Sequence, residues 1–202
     1  MDGIGPDPES TPPELGAYTA DFLRGRPAML EALWILLQWV FVSSPLPGSF
    51  HRRVLLRAFG AKIGMGVVIK PGVKVKFPWR LQVGANAWLG ENAWIDNLAQ
   101  VNIEANAVLS QDVYLCTGSH DWTSPGFNLI VKPILIKQGA WVAARSTIGP
   151  GVTLGDGAVL GLGSTTSKDL EPWTVYSGVP ATPLKKRVIR SLDAPPGGSD
   201  SD

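Results

Sequence analysis

Several shortages bound what this chain can do. One cysteine, Cys116, excludes an internal disulfide framework and a four-thiolate metal site. Two histidines, His51 and His120, leave almost nothing with which to build a zinc centre. An excess of one charge is missing too: 18 Lys and Arg face 17 Asp and Glu in 202 residues. That balance gives no field for gripping a polyanion and argues against nucleic acid as a partner. Long apolar runs are absent: the first strongly apolar stretch, Met29 to Val42, has 14 residues including Glu31 and Gln38. A bilayer span needs roughly 20. Asp2, Asp7, Glu9, Glu14 and Asp21 open the chain without a Lys or Arg, the reverse of a secretory start. A cytoplasmic location is expected. No phosphate loop, paired-histidine zinc motif or dinucleotide glycine fingerprint occurs.

What is present is a rhythm. An aliphatic residue recurs every six positions at Ile63, Ile69 and Val75, at Val83, Leu89 and Ile95, and at Ile103, Leu109 and Leu115. After an interruption it resumes at Ile136, Val142, Ile148, Leu154 and Leu160. Four places after each of these fourteen stands a small residue, Trp79 being the one exception. Gly follows the aliphatic residue at 64, 84, 90, 149, 155 and 161, where a tight corner would call for it. A six-residue period matches neither helical turns nor simple strand alternation. It fits a short strand plus a corner, three such units closing one triangular coil of a parallel β-helix. Aliphatic residues then form an interior column through the stacked coils. The early coils repeat at 20 residues and the later ones at 18, so the early ones carry two extra residues at one corner.

The expected organisation is a disordered tail over 1–20, a helical cap over 21–60, a β-helix domain over 61–181, and a basic segment leading into a second disordered tail over 182–202. Pro27 suits a first helical turn, and Leu30, Leu33, Trp34, Leu37 and Phe41 fall on one helical stripe. Val54, Leu55, Ala58 and Phe59 indicate a second short helix. Two readings stay open for this pair. It caps the apolar end of the first coil, or residues 28–42 rest on a membrane surface, as Trp34, Trp39, Arg24 and Arg26 favour.

The chemical signal is the break in the rhythm. After Leu115 comes Cys-Thr-Gly-Ser-His-Asp-Trp, residues 116–122, then a non-repeating loop over 121–133. A solenoid that extrudes a loop loses packing there, and such loops often carry function. His120 stands at the start of the loop as the only histidine of the repeat region, with Asp121 beside it. An imidazole changes charge near neutral pH and so serves as a general base. Cys116, next to an inward Leu115, reads as a small packing residue, and His51, among Arg52 and Arg53, as a surface residue.

Several segments together resemble the hexapeptide-repeat acyltransferases. They are Phe59 to Gly64, Lys76 to Trp79, Trp94 to Ala99, Leu115 to Trp122, Gly139 to Ala144, Pro150 to Val152, Lys168 to Leu170 and Gly178 to Ala181. The chain is similar to the colanic acid (exopolysaccharide) O-acetyltransferases, relatives of the maltose and galactoside acetyltransferases, over roughly residues 28–190. The resemblance implies a left-handed β-helix, a homotrimer with acetyl-CoA sites between subunits, no required metal, and direct acetyl transfer to a saccharide hydroxyl. It matches His120 to the catalytic base and puts Asp96, Asn97 and Asp121 in its neighbourhood. Trp141, Ala143 and Ala144 fall where the family lines the pantetheine groove. Gly161, Ser167 and Lys168 match further cofactor contacts, and Lys185, Lys186 and Arg187 could neutralise its phosphates. Thr182 replaces a commonly found arginine. Trp122, Phe127 and Asn128 in the loop would shape the acceptor pocket. The competing reading is a non-catalytic trimeric β-helix scaffold; a γ-type carbonic anhydrase fails for lack of imidazoles.

Overall fold

A computed structural model describes residues 12–20 and 22–190. From Lys62 onward the chain winds into a three-sided parallel β-solenoid of about six turns, each turn giving one short strand to each of three sheets. The first sheet stacks Lys62–Ile63, Leu81–Val83, Val101–Ile103, Ile134–Ile136 and Thr153–Leu154. The second holds Val68–Ile69, Trp88–Leu89, Val108–Leu109, Trp141–Val142 and Val159–Leu160. It ends in an antiparallel hairpin of Thr174–Gly178 and Ala181–Lys186. The third holds Lys74–Val75, Trp94–Asp96, Tyr114–Cys116, Thr147–Ile148 and Thr165–Thr166. All fourteen aliphatic residues of the six-residue period are buried and form one continuous core.

The corners differ from the expectation in an instructive way. The glycines that follow the aliphatic residues do not adopt left-handed φ; Gly64, Gly84, Gly90 and Gly155 make room for the next coil. A Cβ at Gly84 would lie 2.4 Å from the Ala105 nitrogen, and one at Gly64 would lie 2.6 Å from that of Ala85. The left-handed residue comes two places later, at Gly66, Gly72, Asn86, Asn92, Asn106, Asp112, Gly139, Arg145, Gly151, Gly157 and Gly163. Gly, Asn and Asp tolerate that conformation best, and Arg145 is the exception. At the corner between the third and first sheets the early coils enclose the position four places after the aliphatic residue less than the later coils do. Trp79 and Ala99 are only half-buried there, and a short 3-10 turn over Pro78–Arg80 takes up the extra residues of the first coil.

Before the solenoid, helix α1 (Ala28–Leu37) runs into a wide turn (Gln38–Val42), followed by helix α2 (Phe50–Ala58). They cap the open edge of the first coil with side-chain hydrogen bonds. Trp34 Nε1 donates to Val75 O at 2.8 Å, Ser43 Oγ to Val73 O at 2.9 Å and Ser49 Oγ to Ile69 O at 3.1 Å. Arg53 reaches Val67 O and Arg57 reaches Ile63 O. An unpaired strand edge is thereby satisfied without another strand. The predicted stripe holds only in part: Trp34 is buried, whereas Leu33 and Phe41 are exposed. In α2 the buried residues are Arg52 and Leu56 rather than those the pattern picked out. Arg52 clamps the preceding loop by donating to the carbonyls of Val42, Ser44, Leu46 and Gly48. His51, read as a surface residue, is half-buried, with Nε2 enclosed and unpartnered.

Candidate functional site

The extruded loop leaves the solenoid at the third-to-first corner as a hairpin. Strand Gly118–His120 pairs antiparallel with Leu129–Val131, placing Gly118 opposite Val131 and His120 opposite Leu129. Thr117 anchors its base. It is fully buried, its hydroxyl donating to Asp96 O at 2.9 Å and accepting from Ala99 N at 3.0 Å. Its own carbonyl accepts from Lys132 N and so closes the hairpin. Gly118 lies close to Leu98, whose Cδ1 would have to shift to admit a Cβ at 2.8 Å.

His120 is held by the tip of this hairpin. Its Nδ1 lies 2.9 Å from Phe127 O, so Nδ1 carries the proton and donates to that carbonyl. Nε2 is left with a free lone pair. The Phe127 ring stacks on the imidazole at 4.4 Å between centroids and 7° between planes. Tyr18 packs on the imidazole at a centroid distance of 5.9 Å. A cleft of ≈ 370 Å³ opens beside the histidine, lined by Ser119, His120, Trp122, Ile130, Lys132, Pro150 and Ser167 among others. A larger groove of ≈ 810 Å³ on the first sheet, lined by Gln82, Asn102, Leu135 and Gln138, holds no histidine and lacks the hairpin.

The other expected residues divide. Asp121 does not orient the imidazole. Its carboxylate accepts from Thr123 N at 3.0 Å and from the Thr123 hydroxyl at 2.6 Å, which builds the turn and holds the acid below its ordinary pKa. Phe127 O does the orienting instead. Asn97 is fully buried and stitches two coils together: Oδ1 accepts from Phe77 N at 2.9 Å and Nδ2 donates to Phe77 O at 2.7 Å. Asp96 pairs with Lys76 at 3.2 Å and accepts from the Tyr114 hydroxyl at 3.2 Å. Burial, then Cys116 and Asp96, push the Tyr114 phenol well above its usual range. Of the expected acceptor residues only Trp122, 82% exposed, is uncommitted. Phe127 serves the imidazole, and Asn128 accepts from Thr19.

Sequence reasoning missed the strap over this hairpin. Residues 12–20, read as part of a disordered tail, contain a 3-10 turn at Leu15–Ala17 and lie along the loop. Glu14 N donates to Pro125 O at 2.8 Å and the Thr19 hydroxyl to Asn128 Oδ1 at 3.2 Å. The disordered tails expected over 1–11 and 191–202 lie outside the described residues. No local signal in 12–20 announces the strap, because its partners are in the hairpin.

The expected cofactor residues lie on two different corners of the prism. Ser167 and Lys168 follow the third sheet and share the corner of His120, with Ser167 in its cleft. Trp141, Ala143, Ala144 and Gly161 lie at the end of the second sheet and the corner beyond it, in adjacent coils, Val142 pairing with Leu160. There Trp141 Nε1 donates to Ser110 Oγ at 2.9 Å, and Gly161 O accepts from Ser146 Oγ at 2.7 Å. Lys185 stands apart in the terminal hairpin, opposite Val175.

Comparison with known proteins bears on what this arrangement is. The family described as "Hexapeptide repeat of succinyl-transferase" matches residues 140–165. WcaF of Escherichia coli (strain K12), an acetyltransferase provisionally named for colanic acid biosynthesis, is 41% identical over 167 residues, 83% of this chain and 92% of WcaF. The chain belongs to the hexapeptide-repeat acetyltransferases. The galactoside O-acetyltransferase of the same organism is 31% identical over 146 residues, 70% of this chain and 69% of that protein. Among solved structures of the family, galactoside acetyltransferase in complex with coenzyme A superposes with a TM-score of 0.70 at 25% identity, covering 79% of this chain and 81% of that one. The hexapeptide-repeat acetyltransferase VCA0836 of Vibrio cholerae, complexed with acetyl coenzyme A, shares the fold at a TM-score of 0.73 and 22% identity, covering 80% and 89%.

Proposed function

We propose that this protein transfers an acetyl group from acetyl-CoA to a hydroxyl of a saccharide, with His120 Nε2 as the general base. The observation that carries the reading is the fixed tautomer: Phe127 O at 2.9 Å from Nδ1 aims a free Nε2 lone pair from the edge of a cleft. As the acceptor oxygen attacks the thioester carbonyl, its proton passes to Nε2. The C–S bond then breaks, and the imidazolium returns the proton to the departing thiolate, so that CoA leaves as the free thiol. A thioester is already activated. Alignment, one base and an N–H donor for the developing oxyanion therefore suffice.

Ser167, Lys168 and Lys132 border the cleft or its corner and suit the cofactor's polar groups. The small residues Ala143, Ala144 and Gly161 put little side chain in the way of a thin ligand at the other corner. One prism cannot fold these two corners onto each other. A homotrimer, in which the His120 corner of one protomer meets the Trp141–Gly161 corner of the next, unites them. Relatives named for galactoside and colanic acid acetylation support a saccharide acceptor, and exposed Trp122 offers an aromatic face to a sugar ring.

The test is acceptor-dependent release of free thiol from acetyl-CoA by purified protein across a panel of glycosides and oligosaccharides. Saccharide-dependent release with a mass gain of one acetyl group on the sugar is expected. Absence of turnover together with absence of a CoA-induced shift in melting temperature would favour the scaffold reading.

A further inference from the structure

We infer that the helical end of the solenoid is a docking face for an anionic phospholipid surface. α1 and the turn after it are apolar on nearly every side. The inner side buries Trp34 and Val42, while Met29, Leu36 and Trp39 are 86%, 58% and 76% exposed, and Phe50 of α2 is 72% exposed. A helix that caps a soluble solenoid normally turns polar residues outward. Between Ala28 and Val42 the one charged residue is Glu31, which pairs with Arg24 at 2.8 Å. The capping task is complete without the outer face, since the first coil's edge is satisfied by Trp34, Ser43, Ser49, Arg53 and Arg57.

Charge identifies the occupant. Ten of the chain's 18 Lys and Arg lie between Phe22 and Leu81, against Glu31 as the only Asp or Glu of that stretch. Arg26, Arg57, Lys62, Lys70 and Lys74 are exposed on the helical cap and the coil beneath it. Near-neutrality of the whole chain hides this concentration at one end. Exposed apolar side chains with cations on the same end of the solenoid match a surface of acyl chains beneath phosphates. A second copy of the chain would set the same cations against each other. Among the described residues no helix is long and apolar enough to cross a membrane, so the contact is interfacial. The inference stands independently of acetyl transfer.

Co-sedimentation of the full chain with vesicles tests it. Binding to mixed phosphatidylcholine–phosphatidylglycerol vesicles that exceeds binding to phosphatidylcholine alone and falls with added salt is expected. Trp39→Glu with Phe50→Glu, and separately Lys70→Glu with Lys74→Glu, each weaken binding by about tenfold or more, with the parent's melting temperature and CoA-induced shift retained. Equal binding to both vesicle types, or variants that bind as the parent does, overturns the proposal. So does a drop in oligomeric mass of the Trp39→Glu, Phe50→Glu protein without loss of vesicle binding, which would make the face a contact between copies. If the aromatic pair proves unstable, the lysine pair decides.

Discussion

A single methyl group is enough to probe the spacing of the coils. Gly84→Ala places a Cβ 2.4 Å from the Ala105 nitrogen, a backbone atom that cannot swing away. Thermal denaturation at fixed protein concentration should show a loss of about 1–3 kcal/mol. Asn106→Gly, at a corner where φ is 58°, should change stability by no more than about half a kilocalorie per mole. Equal effects of the two changes would contradict the division of labour between corner positions. The inward aliphatic residues were legible because a six-residue period survives in one dimension. The purpose of the glycines was not, since closeness to the next coil is a property of stacking. The left-handed positions were written plainly, as Gly, Asn or Asp three places after most aliphatic residues, and only Arg145 breaks the pattern. At the site, His120 was legible from the break in rhythm. The partner of its Nδ1 is a backbone carbonyl, which no side-chain pattern reveals.

The strap and the hairpin form a unit assembled from distant parts of the chain. Thr19 and Asn128, 109 positions apart, hold the hairpin tip whose Phe127 carbonyl fixes the imidazole. On the proposed mechanism, Tyr18 and Thr19 are positioning residues. Tyr18→Ala combined with Thr19→Val should lower kcat and raise the acceptor KM by about tenfold to a hundredfold, as small misplacements of catalytic groups do. CoA affinity should stay at the parent value, and Tyr18→Phe, which keeps the ring, should restore most of the rate. Parent-like kinetics in the double variant would show that the strap merely covers the loop. Residues 12–20 read as disorder because on their own they supply no core. Their order comes from the hairpin, and composition carries no trace of that.

At the scale of the whole molecule, the placement of the expected cofactor residues on two corners makes the proposed site depend on assembly. His120→Ala disables one corner and Ala144→Glu the other, so hybrids of the two should regain turnover that neither has alone. Random mixing in a three-fold ring leaves about one quarter of the sites intact. Hybrids confirmed by native mass spectrometry yet silent in the thiol-release assay would show that the site lies within one protomer. The period located both corners in sequence but does not say which of them would face a neighbouring protomer. The central claim, that one imidazole takes the acceptor proton, is tested most directly by single-turnover transfer in His120→Ala at saturating acetyl-CoA. The account predicts a rate lower by about 10²–10⁴-fold with CoA affinity unchanged; a parent-like rate in that variant would contradict it.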